Sequence, residues 1–293
     1  MGARRRRGGS GDPRHLPYYT PSRVRPSPRQ SYPAPVPTTP PPPPAPPAGD
    51  PPRTAALLVI GNELLSGKVD DANVVVLARE LRGLGVVLRR VVMILDDVAE
   101  ISREIRELSA SHDWLFTSGG VGPTHDDLTT EAAAAAFGLP VAPAPELEEL
   151  LRAHYKERLT EGHLRMALVP EGATLSRTPS VPWPAIRIRN VWLLPGVPEI
   201  FRAKMAVVAA SLGAGRPFHS RAVYTKMDEG VLKPLLDAVV ASFPDVDVGS
   251  YPRWSDPSYK TKLTFDGRDA DRVQAAQEAF VATLPEGEPQ RVE

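Results

Sequence analysis

Residues 114–131 read WLFTSGGVGPTHDDLTTE. A short apolar run opens this stretch, three glycines follow within four positions, and an alanine-rich helical pattern begins at Thr129. A buried strand, a glycine loop and a helix in immediate succession are typical of a βα unit in a parallel sheet. The stretch therefore predicts an α/β fold with a ligand loop at a strand end.

The same alternation of strands and helices extends on both sides of this loop. Apolar spacing predicts strands at 55–60, 86–95, 114–117 and 191–194, and helices at 71–84, 98–109, 129–137, 145–159 and 197–212. We therefore predict a three-layer αβα domain over residues 54–216, with a mostly parallel sheet that helices cover on both faces.

The pattern changes after Gly215. Strands are predicted at 221–226, 246–251 and 259–265, and helices at 229–243 and 270–284. This order predicts a smaller α+β subdomain over residues 217–286, with one face of its sheet in solvent. The run from Gly249 to Pro252, with Trp254, either stacks an aromatic base or packs inside the protein, and packing is the commoner use of aromatic side chains. Lys260 and Lys262 are expected on the solvated face.

Residues 1–53 have a different composition from the rest of the chain. They hold 17 of the 34 prolines, and 9 arginines against 2 acidic groups. Because proline disfavours helix and sheet pairing, we predict a disordered tail, either a plain extension or an organelle transit peptide. The expected location is cytoplasmic, or mitochondrial or plastid if the tail is a transit peptide.

The bulk composition excludes several functional classes. Residues 54–293 carry 26 basic and 33 acidic groups, so a nucleic-acid partner is not expected. The absence of cysteine excludes disulfides, thiolate metal sites and a cysteine nucleophile. No apolar run approaches the roughly 20 residues that span a bilayer, so a membrane partner is not expected either. We expect a homo-oligomer.

Three loops follow predicted strands, and the carboxyl ends of these strands should meet at one edge of the sheet. The loops are 61–73, 118–127 and 195–199. Their backbone and side chains form the predicted ligand site, which comprises Asn73, Ser118, Gly119, Gly120, Gly122, Thr124, Gly196 and Glu199. Glycines allow close approach to an anion, and a helix N-terminus favours negative charge.

Carboxylates in the same loops suggest a metal. Asp126 and Asp127 beside a phosphate would need a divalent cation, Mg²⁺, Mn²⁺ or Co²⁺, and Glu63 is a further candidate. Each loop also has a simpler interpretation. Asp127 would cap the helix at Thr129, Asp70 or Asp71 would cap the helix after the first loop, and 195–199 would be a plain βα turn.

The sequence from Thr117 to Gly122, followed by Asp127, Thr129 and Glu131, resembles the signature of the MoaB/Mog molybdopterin-binding domain family. Together with 61–67 and 194–199 it is most similar to the CinA amino-terminal subfamily. The segments 248–252 and 262–264 resemble the molybdopterin-binding-like region of eukaryotic FAD synthase, although its adenylyltransferase domain and the amidase domain of CinA are missing.

The resemblance implies two alternative roles, and a non-catalytic role is a third alternative beside them. One is metal-dependent hydrolysis of a nucleotide diphosphate such as ADP-ribose or FAD, with Asp127 as the main metal ligand and Asp126 or Glu63 assisting. The second is binding of a pterin phosphate in molybdenum-cofactor synthesis. The third is a non-catalytic ligand-binding or dimer scaffold.

Overall fold

The computed structural model describes residues 51–293. The predictions for residues 1–50, including the transit peptide, lie outside the described residues. The strands are β1 Arg53–Ile60, β2 Val86–Ile94, β3 Trp114–Ser118, β4 Val141–Pro143, β5 Leu168–Pro170, β6 Thr174–Thr178, β7 Val181–Ile188, β8 Val191–Leu193, β9 His219–Thr225, β10 Asp247–Pro252, β11 Thr261–Gly267 and β12 Arg291–Val292. The helices are α1 Asn62–Leu65, α2 Asn73–Gly83, α3 Val98–Ser111, α4 Thr129–Phe137, α5 Pro145–Tyr155, α6 Glu161–Arg165, α7 Pro198–Leu212, α8 Glu229–Ser242 and α9 Ala270–Val281.

Six strands form the main sheet in the order β2-β1-β3-β8-β7-β6. The pairs β1–β2, β1–β3 and β3–β8 are parallel, whereas β7 pairs antiparallel with β8 and β6. The chain passes from β1 to β2 on one side and then returns to β3 on the other side. This reversal creates a crevice at the carboxyl ends of β1 and β3, where ligands bind in open α/β sheets.

Strand β1 separates two apolar cores because its side chains alternate between the two faces of the sheet. Leu57 packs with Phe201 in the core that α2 and α7 cover. Leu58 packs with Ile101 and Ala132 in the core that α3 and α4 cover. The predicted three-layer αβα domain is confirmed, and α2 and α4 begin on opposite faces of the crevice.

The C-terminal subdomain has an antiparallel sheet in the order β10-β11-β9-β12, as the α+β prediction requires. Helices α8 and α9 cover one face, where Leu263 and Phe280 are fully buried. The sheet extends beyond the predicted end at residue 286, because Val292 pairs with Val223. The predicted boundary of the main domain at residue 54 is also one residue late, because Arg53 pairs with Val86 in β1.

The region between residues 160 and 190 contains elements that the sequence did not predict, namely α6 and strands β5 to β7. Prolines within β7 disfavour a strand prediction, because proline cannot donate to a neighbouring strand. The pairing of β6 with β7 shifts register in this region. There the side chain of Lys204 supplies hydrogen bonds to carbonyl groups of β7. Its buried Nζ donates to the carbonyl oxygens of Trp183 at 2.5 Å and Pro184 at 2.9 Å, and burial lowers the pKa of Lys204 to about 8.

Within residues 51–293, no helix combines the length and the apolar character that crossing a bilayer requires.

Candidate functional site

The three predicted loops meet at the side chain of Asn73, the first residue of α2. Its Nδ2 donates to Oγ of Ser118 at 2.9 Å and to the carbonyl oxygen of Gly196 at 2.8 Å. Asn73 is only 2% exposed, and its Oδ1 has no partner among the described residues. One buried amide therefore joins the ends of all three loops at the crevice between β1 and β3.

The glycines allow the loops to approach closely. A Cβ atom on Gly119, where φ is +107°, would lie 2.2 Å from the carbonyl oxygen of Ile60. A Cβ atom on Gly196 would lie 3.3 Å from the Cα of Gly119. The backbone of the glycine loop is thus packed against both neighbouring strand ends, and a side chain at Gly119 is excluded by backbone atoms and by its positive φ.

The glycine loop presents unpaired donors. Thr129 fixes the loop from the helix side, since its Oγ1 donates to the carbonyl oxygen of Gly119 at 2.8 Å and its N–H to that of Gly120 at 2.9 Å. The N–H groups of Gly120, Val121 and Gly122 have no acceptor within the described part of the chain. Successive free N–H groups beside a helix start form a concavity that favours an anion.

Asp126 and Asp127 converge on one hydroxyl group. Oγ1 of Thr124 lies 2.6 Å from Oδ1 of Asp126 and 2.5 Å from Oδ2 of Asp127. The same Oδ2 accepts the N–H of Thr124 at 2.7 Å. The hydrogen bond from Thr124 lowers the pKa of Asp126, helped by its own N–H and by His125. Asp127 closes this turn and does not cap α4, whose N-cap residue is Leu128 without a side-chain cap.

A further carboxylate, which sequence reasoning missed, is Asp96 just after β2. Its Oδ2 accepts the N–H of Asn62 at 2.8 Å. Burial raises the pKa of Asp96, the Asn62 hydrogen bond opposes this, and the negative charges of Glu63, Asp126 and Asp127 add to the increase. Asp96 therefore lies within the field of the three predicted carboxylates. The sequence places Asp96 after the strand that follows β1. Only the strand order shows that this strand, β2, lies next to β1.

Arg165 is a second residue that the sequence did not reveal. Helix α6 directs its NH1 to the carbonyl oxygen of Thr124 at 3.2 Å, and its NH2 lies 3.6 Å from Glu131. Arg165 and Glu131 line a small cleft of about 20 Å³ together with Gly122 and Asp127. This is room for about one water molecule, so a larger ligand must lie over the open rim of the loops.

The remaining predicted residues are less closely connected. Glu199 is exposed in the first turn of α7 and makes no hydrogen bond or ion pair with the described residues. Asp71 accepts the N–H of Val74 at 2.9 Å, so the simpler capping interpretation of the first loop is partly correct. Across residues 51–293, no group of three or more His, Cys, Asp or Glu side chains is close enough to hold a metal ion.

Comparison with protein families places the site in context. Residues 56–213 match the family model described as "Probable molybdopterin binding domain". The chain belongs to this molybdopterin-binding domain family. Residues 217–293 match a second model, described as "FAD synthase, middle domain". The resemblance predicted from the glycine–aspartate motif is therefore confirmed.

Several proteins are similar to this chain over most of its length. A "Probable FAD synthase" from Caenorhabditis elegans is 33% identical in an alignment of 254 positions that covers 76% of this chain and 48% of the nematode protein. A protein from Archaeoglobus fulgidus is 32% identical over 228 residues, which are 78% of this chain and 96% of that protein. A "CinA-like protein" from Anaeromyxobacter is 34% identical and matches 77% of this chain and 58% of its own length.

Among solved structures, the protein CinA from Thermoplasma acidophilum, whose function is given as unknown, is 27% identical with a TM-score of 0.51. It covers 55% of this chain and 98% of its own length. The chain thus spans about half of the nematode relative and nearly all of the archaeal one.

Proposed function

We propose that this protein is a metal-dependent hydrolase that cleaves the diphosphate of a nucleotide such as ADP-ribose or FAD. The observation that carries the proposal is the row of three unpaired N–H groups at Gly120, Val121 and Gly122, next to the carboxylates of Asp126 and Asp127. Donors for phosphate oxygens and acceptors for a cation are what a diphosphate complex needs. Similarity to FAD synthase and CinA-like proteins supports a nucleotide ligand.

The backbone of the glycine loop would bind one phosphate group. Its three N–H groups have no acceptor among the described residues, and the N-terminus of α4 adds a partial positive charge there. Arg165 adds a full charge at the edge of the same loop. The free N–H groups in the first turn of α7 follow Gly196, so they can bind the second phosphate from the other side of the crevice.

The residues present fit a divalent cation that arrives with its substrate. Asp126 and Asp127 supply two hard oxygen ligands, and Mg²⁺ commonly uses one or two carboxylates together with substrate phosphates and water. The bound cation would neutralise the diphosphate and favour attack by water. Glu63 and Asp96 face the same region and would orient water molecules by accepting their protons in hydrogen bonds.

The test is direct turnover. Purified full-length protein is incubated with ADP-ribose or FAD and with Mg²⁺, Mn²⁺ or Co²⁺, and AMP is quantified by liquid chromatography. We expect AMP release that depends on the cation and is abolished by EDTA. A matched control is Asp237→Asn, which removes one carboxylate charge from an exposed position on α8 that is paired with Lys233.

Two other functions predict different results. A pterin-phosphate binding protein would bind a pterin phosphate tightly without releasing AMP, because the same N–H groups suit any terminal phosphate. A non-catalytic scaffold would show neither binding nor turnover. Either result would contradict the proposed hydrolase.

A further inference from the structure

A second concave surface lies on the solvated face of the C-terminal sheet. It is a groove of about 570 Å³, a size typical of small-molecule sites. Strand β11 contributes Lys262, Thr264 and Asp266 to its floor. Strand pairing places Tyr251 beside Lys262 and Ser220 beside Asp266 on the same face.

The groove is rich in cations. Lys262 comes from its floor strand, Arg253 from the end of β10, and Arg82 from the last turn of α2 in the main domain. Asp266 is the one acidic residue in the lining, and Arg82 pairs with it at 2.6 Å, while Arg253 pairs with Asp256 beside the groove at 3.7 Å. Lys262 makes no ion pair with any described residue and lies 5.6 Å above the ring of Tyr224. Residues 54–293 carry more acidic than basic groups. The excess of positive charge in the groove is therefore local and does not reflect the overall composition.

An exposed aromatic ring lies beside these cations. A Cβ atom on Gly249 would lie 2.9 Å from both Cε2 and the hydroxyl of Tyr251, so the tyrosine ring lies back along its own strand over the glycine. The residue remains 56% exposed. Tyr259 continues the wall, and its hydroxyl accepts from NH1 of Arg253 at 2.8 Å. The interior packing expected for this stretch is wrong, because Trp254 is 92% exposed.

We propose that this groove binds a planar aromatic ring that carries a phosphate group, as in a nucleoside monophosphate. The ring stacks on Tyr251, and Lys262 binds the phosphate, with Arg82 and Arg253 adding positive charge. Stacking suits any planar heterocycle, whereas an ammonium group over this groove selects an anion. A ligand with both parts uses both features of the groove.

This site is separate from the glycine-loop site. Asn73 begins α2 and Arg82 lies in its last turn, so nine residues of helix separate them by about 14 Å along the axis. The two linings share no residue. The proposal therefore does not depend on the hydrolase activity.

The test is calorimetric titration of the full-length protein with AMP, adenosine and ribose 5-phosphate. We expect AMP to bind at least about tenfold more tightly than either fragment, because it alone has both the ring and the phosphate. Tyr251→Ala and Lys262→Gln should each weaken AMP binding at least about tenfold, whereas Tyr251→Phe, which keeps the ring, should remain within about threefold of the original.

Further variants check that the loss of AMP binding arises in the groove itself. Lys233→Gln removes one positive charge from an exposed position on α8 and should leave AMP binding unchanged. The losses in the groove variants should be the same in protein that also carries Asp127→Asn. Melting curves check that the Tyr251 and Lys262 variants are folded.

Unchanged AMP affinity in both Tyr251→Ala and Lys262→Gln would overturn the proposal. So would an affinity for adenosine, or for ribose 5-phosphate, that equals the affinity for AMP. A shift in sedimentation from dimer to monomer in Tyr251→Ala would also overturn it. The last result would mean that the groove contacts a second copy of the chain.

Discussion

The side-chain nitrogen Nδ2 of Asn73 lies 2.9 Å from Oγ of Ser118. This hydrogen bond connects the first turn of α2 with the end of β3 across the crevice. The same nitrogen also reaches Gly196. Asn73 therefore joins the start of α2 to the end of β3 and to the loop that precedes α7, the three segments that form the candidate ligand site.

We predict that Asn73→Ala lowers both stability and ligand binding. It removes the donor to the buried hydroxyl of Ser118, and loss of a partner in a buried site costs about 1–3 kcal/mol. Urea unfolding measures the loss. Asn190→Ala is a matched control, because its Nδ2 likewise donates to two acceptors, the carbonyl oxygens of Ser109 and His112. That variant should lose similar stability but keep ADP-ribose binding, and equal binding losses in the two would contradict a specific role for Asn73.

A substitution at Asp127 can remove the negative charge of the side chain while keeping its hydrogen bond to the turn. Asp127→Asn keeps an oxygen that can accept the N–H of Thr124, so the turn should survive and the melting temperature should change little. Loss of the charge should reduce hydrolysis at least about 100-fold, equivalent to roughly 2.7 kcal/mol of transition-state stabilisation. Turnover is measured with the cation titrated, on the preparation used for melting. Near-normal turnover would exclude Asp127 as a cation ligand, and Asp126→Asn would then be tested.

Two glycines of the loop should respond differently to alanine. A Cβ atom on Gly122 would lie 2.7 Å from Oδ2 of Asp127, so Gly122→Ala displaces a side chain and should reduce turnover with little loss of stability. Gly120 has φ of +68°, and its Cβ would lie 2.3 Å from Oγ1 of Thr129. Gly120→Ala should therefore cost about 1 kcal/mol or more of unfolding free energy. Chemical denaturation and the AMP assay distinguish these effects, and the same stability loss in both variants would contradict the difference.

Lys204 predicts a pH dependence of stability. Burial lowers the pKa of Lys204 from 10.5 to about 8 in the folded protein. Between these values the unfolded chain holds one more proton than the folded chain, so stability relative to a Lys204→Met variant should rise as the pH increases from about 8 towards 10.5. Below pH 8 both states are protonated and the difference should be constant. Melting temperatures of both proteins across pH 7–10 provide the measurement. A flat difference would show that Lys204 keeps its ordinary pKa.

Local patterns predicted most of the main domain. Helix α4 was predicted with its observed ends, because its alanine run begins after a glycine loop and stops at Gly138. The convergence of three loops followed from parallel strands. Asp96 and Arg165 could not be found in this way, because each depends on which strands and helices are spatial neighbours. The strand β7 was missed because Pro182 and Pro184 disfavour it, and the compensating contact comes from Lys204, 20 or more residues away in sequence.

The junction between the two family matches is closely packed. A Cβ atom on Gly85 would lie 2.2 Å from the carbonyl oxygen of Arg216, and one on Gly215 would lie 2.3 Å from that of Leu84. The N–H of Phe218 also donates to the carbonyl oxygen of Arg82 at 3.0 Å. The connecting segment is thus held by backbone contacts to the end of α2, so it cannot serve as a free hinge. An engineered fusion of the C-terminal subdomain to another protein must therefore retain α2. The backbone contacts at this junction involve the end of α2 as well as the connecting segment.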